Sequence, residues 1–243
     1  MPLYTVLPDG SGRSQGEKYT LLASQRLGLK TDSLHTYFTD FTLSSQDTNA
    51  LSGVASGIIN GWLINGGGSV AAAVSTTDLG GVLKLTTGTS ASSSTNAYGP
   101  VILDRADTGV GYVAARLRFP AGMDVQGQSL LAVAVSNVSH FGVGQQGSLS
   151  TTNFVFAYDL QGTPKQVSIA AYDTNFHIYE FWYGLGDGKY HVAFDGAEVG
   201  TGVTPSSATS NVPQPWLRLS NGSTAAARQL DADFVFFAGT FTT

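Results

Sequence analysis

The 243-residue chain contains no cysteine, which excludes disulfides, thiolate zinc sites and cysteine nucleophiles and leaves stability to packing. Charge is also scarce: Asp, Glu, Lys and Arg make up 12 % of residues, against about 25 % in ordinary soluble domains. No Lys/Arg cluster occurs and the formal net charge is −5, so the counterion release that drives nucleic-acid binding has no source, and no nucleic-acid partner is expected. No window approaches the roughly 18 apolar residues of a membrane span, and the start, MPLYTVLPDGSGR, lacks a basic region followed by an apolar one. The expectation is therefore a chain without a signal peptide or membrane partner, made in the cytoplasm. Asn137-Val-Ser139 and Asn221-Gly-Ser223 match the glycosylation sequon by chance on that reading.

Gly, Ser, Thr and Ala take the place of the missing charge. The stretch around which the rest is organised is Phe176 to Thr201, FHIYEFWYGLGDGKYHVAFDGAEVGT. Phe176–Tyr183 is an apolar run too short for a typical helix and reads as a strand. After a Gly-rich turn, Tyr190, Val192 and Phe194 alternate with His191, Ala193 and Asp195, which predicts one buried and one wetted face. Asp195-Gly196 is a two-residue hairpin signal, since such a turn needs positive φ at both positions. The stretch is a three-stranded antiparallel meander.

Residues 1–36 differ from the rest. They carry Arg13, Lys18, Arg26 and Lys30 against Asp9, Glu17 and Asp32. PDGSGRSQGEK reads as a flexible, turn-rich run, and Tyr19–Leu29 as a short helix or a docking strand. The segment is either a disordered leader with an edge strand or an extended arm that anchors on a partner. The expected division is thus 1–36, arm, and 37–243, folded domain.

From Tyr37 onward strand follows strand: 37–43, 58–64 around Trp62, 70–74, 82–86, 101–103, 112–119, 130–135, 140–143, 154–158, 166–171, the meander, 216–220 and 233–241. Thr87–Asn96, TGTSASSSTN, is expected to be an exposed polar loop, and the 144–152 loop likewise. Short strands with Gly/Ser/Asn turns and no fixed-period repeat predict an all-β fold, a two-sheet antiparallel β-sandwich or jelly roll. The last strand is expected beside Tyr37–Leu43.

These segments, and above all GVLKLTT at 81–87, YVAARLRF at 112–119, SHFGVG at 139–144 and the meander, resemble the concanavalin A-like lectin/glucanase superfamily over about 37–243. The low charge and the leader are most similar to its members in tailed-bacteriophage virion structural proteins. The resemblance implies a concanavalin A-like jelly roll with an extended N-terminal arm. A glycosidase of this superfamily would show paired carboxylates in the sense Glu-x-Asp-x-x-Glu, because acid and nucleophile or base must flank one bond about 5 to 9 Å apart. The glutamates are only Glu17, Glu180 and Glu198, and Glu180 has no carboxylate two positions away. The chain is accordingly expected not to be an enzyme, with no catalytic residue, no cofactor and no metal.

Asp104, Asp107 and Asp124 are considered for Ca²⁺, but an ion pair and a turn explain them as well. Asp231 and Asp233 are expected to cap the exposed start of the last strand. His35, His140, His177 and His191 show no zinc-ligand spacing, and His177 and His191 are expected as cross-strand neighbours on an exposed face. Sugar sites pair flat aromatics with amides and carboxylates; the candidate glycan contacts are Tyr179, Trp182, Tyr183, Trp216, Asp173 and Asn175. The sequence reading is a virion protein, a capsid decoration in first place, that docks on other virion proteins (major capsid or tail protein) and forms a homo-oligomer, with a trimer suited to lattice positions. The alternative is a lectin-like module that binds a host glycan.

Overall fold

The computed structural model describes residues 14–41, 56–59, 61–67, 71–75, 81–100, 110–120, 128–134, 140–146, 149–158, 165–184, 187, 189–203, 214–222 and 226–240. Along them run one helix, α1 (Gln15–Leu27), and sixteen strands: β1 (His35–Thr39), β2 (Ser56–Ile59), β3 (Trp62–Gly67), β4 (Ala71–Ser75), β5 (Val82–Thr86), β6 (Ser94–Tyr98), β7 (Gly111–Arg118), β8 (Gln128–Ala134), β9 (His140–Gln146), β10 (Asn153–Tyr158), β11 (Lys165–Ala171), β12 (His177–Tyr183), β13 (Tyr190–Phe194), β14 (Ala197–Val203), β15 (Gln214–Ser220) and β16 (Gln229–Gly239). They form two antiparallel sheets. Sheet I has the order β14-β13-β12-β7-β16-β5-β4, with β1 also on β16; sheet II has the order β11-β10-β9-β8-β15-β6-β3-β2. The all-β sandwich predicted from alternation and turn spacing is the observed architecture.

Strand alternation builds the interlayer core. Val113, Ala115 and Leu117 of β7, Tyr179, Phe181 and Tyr183 of β12, and Val235 and Phe237 of β16 meet Trp62, Ile64, Phe154, Phe156, Leu217 and Leu219 from sheet II. The meander is as predicted: β12, β13 and β14 pair antiparallel. Asp195 and Gly196 both have positive φ, 49° and 83°, as a two-residue hairpin turn with a right-handed strand twist requires. The last strand does lie antiparallel to the first, with Phe38 opposite Phe236.

Several boundaries differ. The single strand expected over 58–64 is two, β2 and β3, folded back at Gly61, whose φ is +81°. Of Thr87–Asn96 only residues 89–92 form the exposed turn that was expected: Thr87, Gly88, Ser93 and Thr95 are buried, and β6 starts at Ser94. The segment's polar groups find partners inside, since Asn221 Nδ2 donates to the carbonyls of Gly88 and Ser90 at 2.6 and 2.9 Å, and Thr95 Oγ1 donates to the Thr86 carbonyl at 2.9 Å. Asn221, the second sequon asparagine, is thereby fully buried. Residues 101–109, 121–127 and 135–139, with Asp104, Asp107, Asp124 and Asn137, lie outside the described residues.

The outer face of sheet I is where the sequence reading of burial fails. Both faces of β12 are buried, and Ala193 of β13 is 0 % exposed, because α1 lies across this face. Tyr19, Ala23 and Leu27, one stripe at i, i+4 and i+8, pack with Leu34 on Tyr112, Ala114, Trp182, Phe234 and Phe236. The helix begins inside the run read as flexible. The Ser14 side chain accepts from the Glu17 amide, and the Glu17 carboxylate accepts from the Ser14 amide at 2.8 Å, a complete capping box. Gly28 ends it in the left-handed conformation. Each large side chain so buried contributes about 1.5–3 kcal/mol, which outweighs the helix's modest intrinsic propensity.

Candidate functional site

The two sheets divide the strand carboxylates unequally. The eight strands of sheet II contain no Asp or Glu. The strands of sheet I hold Glu180, Glu198, Asp231 and Asp233, and each is engaged. Tyr112 Oη donates to Glu180 Oε2 at 2.6 Å, both residues buried beneath α1; burial, and then the Glu180 charge, push the Tyr112 phenol well above its ordinary pKa. Asp231 is fully buried and pairs with Arg118, whose Nε donates at 3.0 Å, while Gln229 Nε2 donates to its other oxygen at 2.6 Å. Arg116 pairs with Asp233 at 2.6 Å, and Arg116 and Arg118 both lie over the Phe176 ring at 4.5 and 4.4 Å. Asp231 and Asp233 therefore lie inside β16 as ion-pair partners and do not cap its end.

Glu198 belongs to a second cluster around the hairpin. Arg26, from the last turn of α1, lies 4.5 Å over the Trp182 ring, donates to the Gly196 carbonyl at 3.3 Å, and approaches Glu198 to 3.9 Å. His191 stacks on Trp182 with centroids 5.4 Å apart and lies 3.1 Å from Glu198 and 2.9 Å from Asp187. His177 is at the other end of the hairpin. Its Nδ1 is 2.7 Å from Asp195, its Nε2 is 2.9 Å from Asp173, and its ring stacks on Phe194 at 4.6 Å. The two histidines are not cross-strand neighbours: His191 opposes Trp182, and Phe194 opposes Tyr179, so they occupy opposite faces of the sheet. Burial of the His177 ring opposes protonation, but its bonds to Asp195 and Asp173 prevail and raise its pKa. Among the described residues no group of three His, Asp or Glu side chains is disposed to hold a metal ion.

The outer face of sheet II is chemically different. Register aligns Ile58, Leu63, Tyr98 and Trp216 in one row across β2, β3, β6 and β15. At about 4.8 Å per strand the row is about 14 Å long. It continues over Ala132 and Gly142, positions with little or no side chain. The neighbouring row is Ser56, Asn65, Asn96 and Arg218. Tyr98 and Trp216 stack at 5.7 Å and 10°, and Trp216 Nε1 donates to Asn96 Oδ1 at 3.0 Å. The Arg218 guanidinium carbon lies 4.9 Å from the Trp216 ring centre. Trp216 is 5 % exposed, Tyr98 and Arg218 are half-buried, and Ile58 and Leu63 are 72 % and 50 % exposed. Burial lowers the Arg218 pKa, partly countered by Tyr98, and raises that of Tyr98, partly countered by Arg218. The place of Gly99 is fixed by close approach: a Cβ there would sit 3.1 Å from Trp62 and 3.2 Å from Pro215, where its amide donates to the Pro215 carbonyl at 2.8 Å.

The six candidate glycan contacts are not brought together. Tyr179 and Tyr183 point into the interlayer core, Trp182 lies under α1, and Trp216 is on the outer face of sheet II. Asp173 and Asn175 sit in the turn between β11 and β12, where Asp173 accepts from the Asn175 amide at 2.7 Å and holds His177. The partners that gather around Trp216 are Tyr98, Asn96 and Arg218. Their alternation in STNAY and QPWLRLS was the available signal, but pairing β6 with β15 joins residues about 120 positions apart.

No family model and no curated protein matches the chain. Solved structures do. A protein of unknown function from Shewanella oneidensis superposes with a TM-score of 0.59 at 15 % identity, covering 93 % of this chain and 94 % of that one. An endo-1,3-β-glucanase from Streptomyces sioyaensis gives 0.56 at 12 %, covering 86 % and 98 %. An endo-β-1,4-glucuronan lyase from the fungus Trichoderma reesei gives 0.52 at 15 %, covering 77 % and 94 %. The fold is the glucanase and lyase jelly roll. These last two structures are named as enzymes, and this chain's fold matches 98 % and 94 % of their length. The expectation that this chain is not an enzyme, drawn from a missing Glu-x-Asp-x-x-Glu run, is therefore overturned, because that run is one solution among several that the fold accommodates.

Proposed function

We propose that the chain recognises carbohydrate on the outer face of sheet II. The observation that carries this reading is the Tyr98–Trp216 stack bounded by Asn96 and Arg218 on a sheet whose strands hold no carboxylate. Flat apolar rings beside amide and guanidinium donors are what a pyranose presents itself to: C–H faces on one side and hydroxyl acceptors at the rim. The glucanase and the lyase that share the fold, both named for glycan substrates, add support. The test is titration of polysaccharides into wild type and Tyr98→Ala by calorimetry, with reducing-end release followed in parallel for turnover. Saturable binding weakened roughly tenfold, or 1.4 kcal/mol, by the substitution is expected; failure of wild type to bind any chain overturns the reading.

A second reading keeps the virion placement. It is favoured by the exposed cross-strand pair Ile58 and Leu63 at the edge of sheet II, an apolar contact available to a neighbour on a capsid or tail lattice. Ile58→Glu with Leu63→Glu should abolish association with purified shells in light scattering; unchanged association removes this pair from any seat.

A further inference from the structure

We infer that the glycan taken by sheet II is acidic, a uronate-bearing chain whose carboxylate pairs with Arg218; the inference rests on the carbohydrate reading above. Arg26, Arg116 and Arg118 each meet a carboxylate of their own chain. Arg218 instead meets an indole, and among the described residues it forms no ion pair. Its cross-strand neighbours in register are Asn96 and Leu130, both uncharged.

A half-buried guanidinium with no anion among the described residues bears a desolvation cost that a carboxylate would relieve. Asn96 spends its carbonyl oxygen on the Trp216 indole N–H, which leaves its amide nitrogen as donor beside the five N–H groups of Arg218. A guanidinium with an amide donor beside it suits an acceptor-only group, and the planar fork of arginine matches a carboxylate in two parallel bonds. Tyr98, in register with Trp216, supplies the flat surface for the sugar ring that carries it. The depressed pKa of Arg218, caused by burial, agrees with a cation held short of its counter-charge.

The experiment compares a β-1,4-linked oligoglucuronate with the β-1,4-linked oligoglucose of equal length, which differs only at C6, and with a sulfated oligoglucose. Binding is measured on wild type, Arg218→Gln and Arg218→Lys, each first shown to melt as wild type does. The expected result is an affinity for oligoglucuronate about tenfold or more above that for oligoglucose. That preference should weaken with salt, vanish in Arg218→Gln and persist in part in Arg218→Lys. Equal or better binding of oligoglucose overturns the acidic assignment and leaves the carbohydrate reading standing. An Arg218-dependent preference for the sulfated chain replaces the uronate with a sulfate ester and overturns the assignment as stated. No binding of any of the three by wild type overturns both.

Discussion

The outer faces of the two sheets are built from the same strand geometry and serve opposite ends. On sheet I the exposed parity carries Tyr112, Trp182, Phe234 and Phe236, which α1 covers, and its carboxylates are matched by arginines, a tyrosine and a histidine of the same chain. On sheet II the corresponding parity carries Asn65, Asn96, Tyr98, Trp216 and Arg218, where the one strand arginine lies over the Trp216 indole and that indole donates to the Asn96 amide oxygen. A face that satisfies its own charges contributes stability. A face whose arginine has no carboxylate partner among the described residues has capacity for an anionic ligand.

The two faces differ most in what Trp182 holds. This side chain is 2 % exposed and touches Tyr112, His191 and Arg26, so Trp182→Ala removes the seat of the helix's last turn as well as ring area. Denaturant unfolding should show a loss of about 3–5 kcal/mol, while glycan affinity measured on the surviving folded fraction stays at the wild-type value. A loss under about 1 kcal/mol would mean that α1 contributes little to stability. A parallel loss of binding would mean that the two faces are not independent. Tyr98→Ala, smaller in effect, sharpens the same contrast from the other side, with affinity moving more than stability.

Much of the fold was legible because its signals are local. Alternation in YVAARLRF and YHVAF, the Asp195-Gly196 turn and the Phe-rich C-terminal strand each specify an element without reference to distant residues. The helix was only half legible: its signals stand in Ser14-Gln-Gly-Glu17 and in Gly28 after Leu27, but the glycine and serine content of PDGSGRSQGEK made its start read as a flexible run and left Tyr19–Leu29 open between helix and strand. Burial of Thr87, Gly88, Ser93 and Thr95 was not legible, because it depends on Asn221, more than 120 residues away, satisfying the carbonyls of Gly88 and Ser90 that would otherwise need water. The site was half legible. Trp216 stood among the candidates, but its partners Tyr98, Asn96 and Arg218 arrive by strand order, which no local pattern encodes.

The smallest effect concerns the hairpin that joins the two ends of sheet I's contacts. His177 is bridged by Asp173 and Asp195, and its pKa is raised because those bonds outweigh the burial of its ring. The folded state therefore binds a proton more tightly than the unfolded chain, whose histidine titrates near pH 6.5. Stability from this bridge is fully present below about pH 6.5 and is lost as pH rises through the raised folded-state value. Asp173 is shifted the other way: its slight burial works against the shift, but bonds from the Asn175 amide and from His177 lower its pKa. Its contribution is lost only in acid, outside that window. Wild type should lose unfolding free energy as pH rises from about 6.5 through the raised folded-state value of His177, by less than about 1 kcal/mol because both aspartates are about half exposed to solvent. His177→Gln, which can still donate to one aspartate, should show a flatter profile over the same interval. Equal slopes in the two proteins would show that the bridge does not hold a proton in the folded state, and the turn at Asp173 would then be fixed by its own amide bond alone.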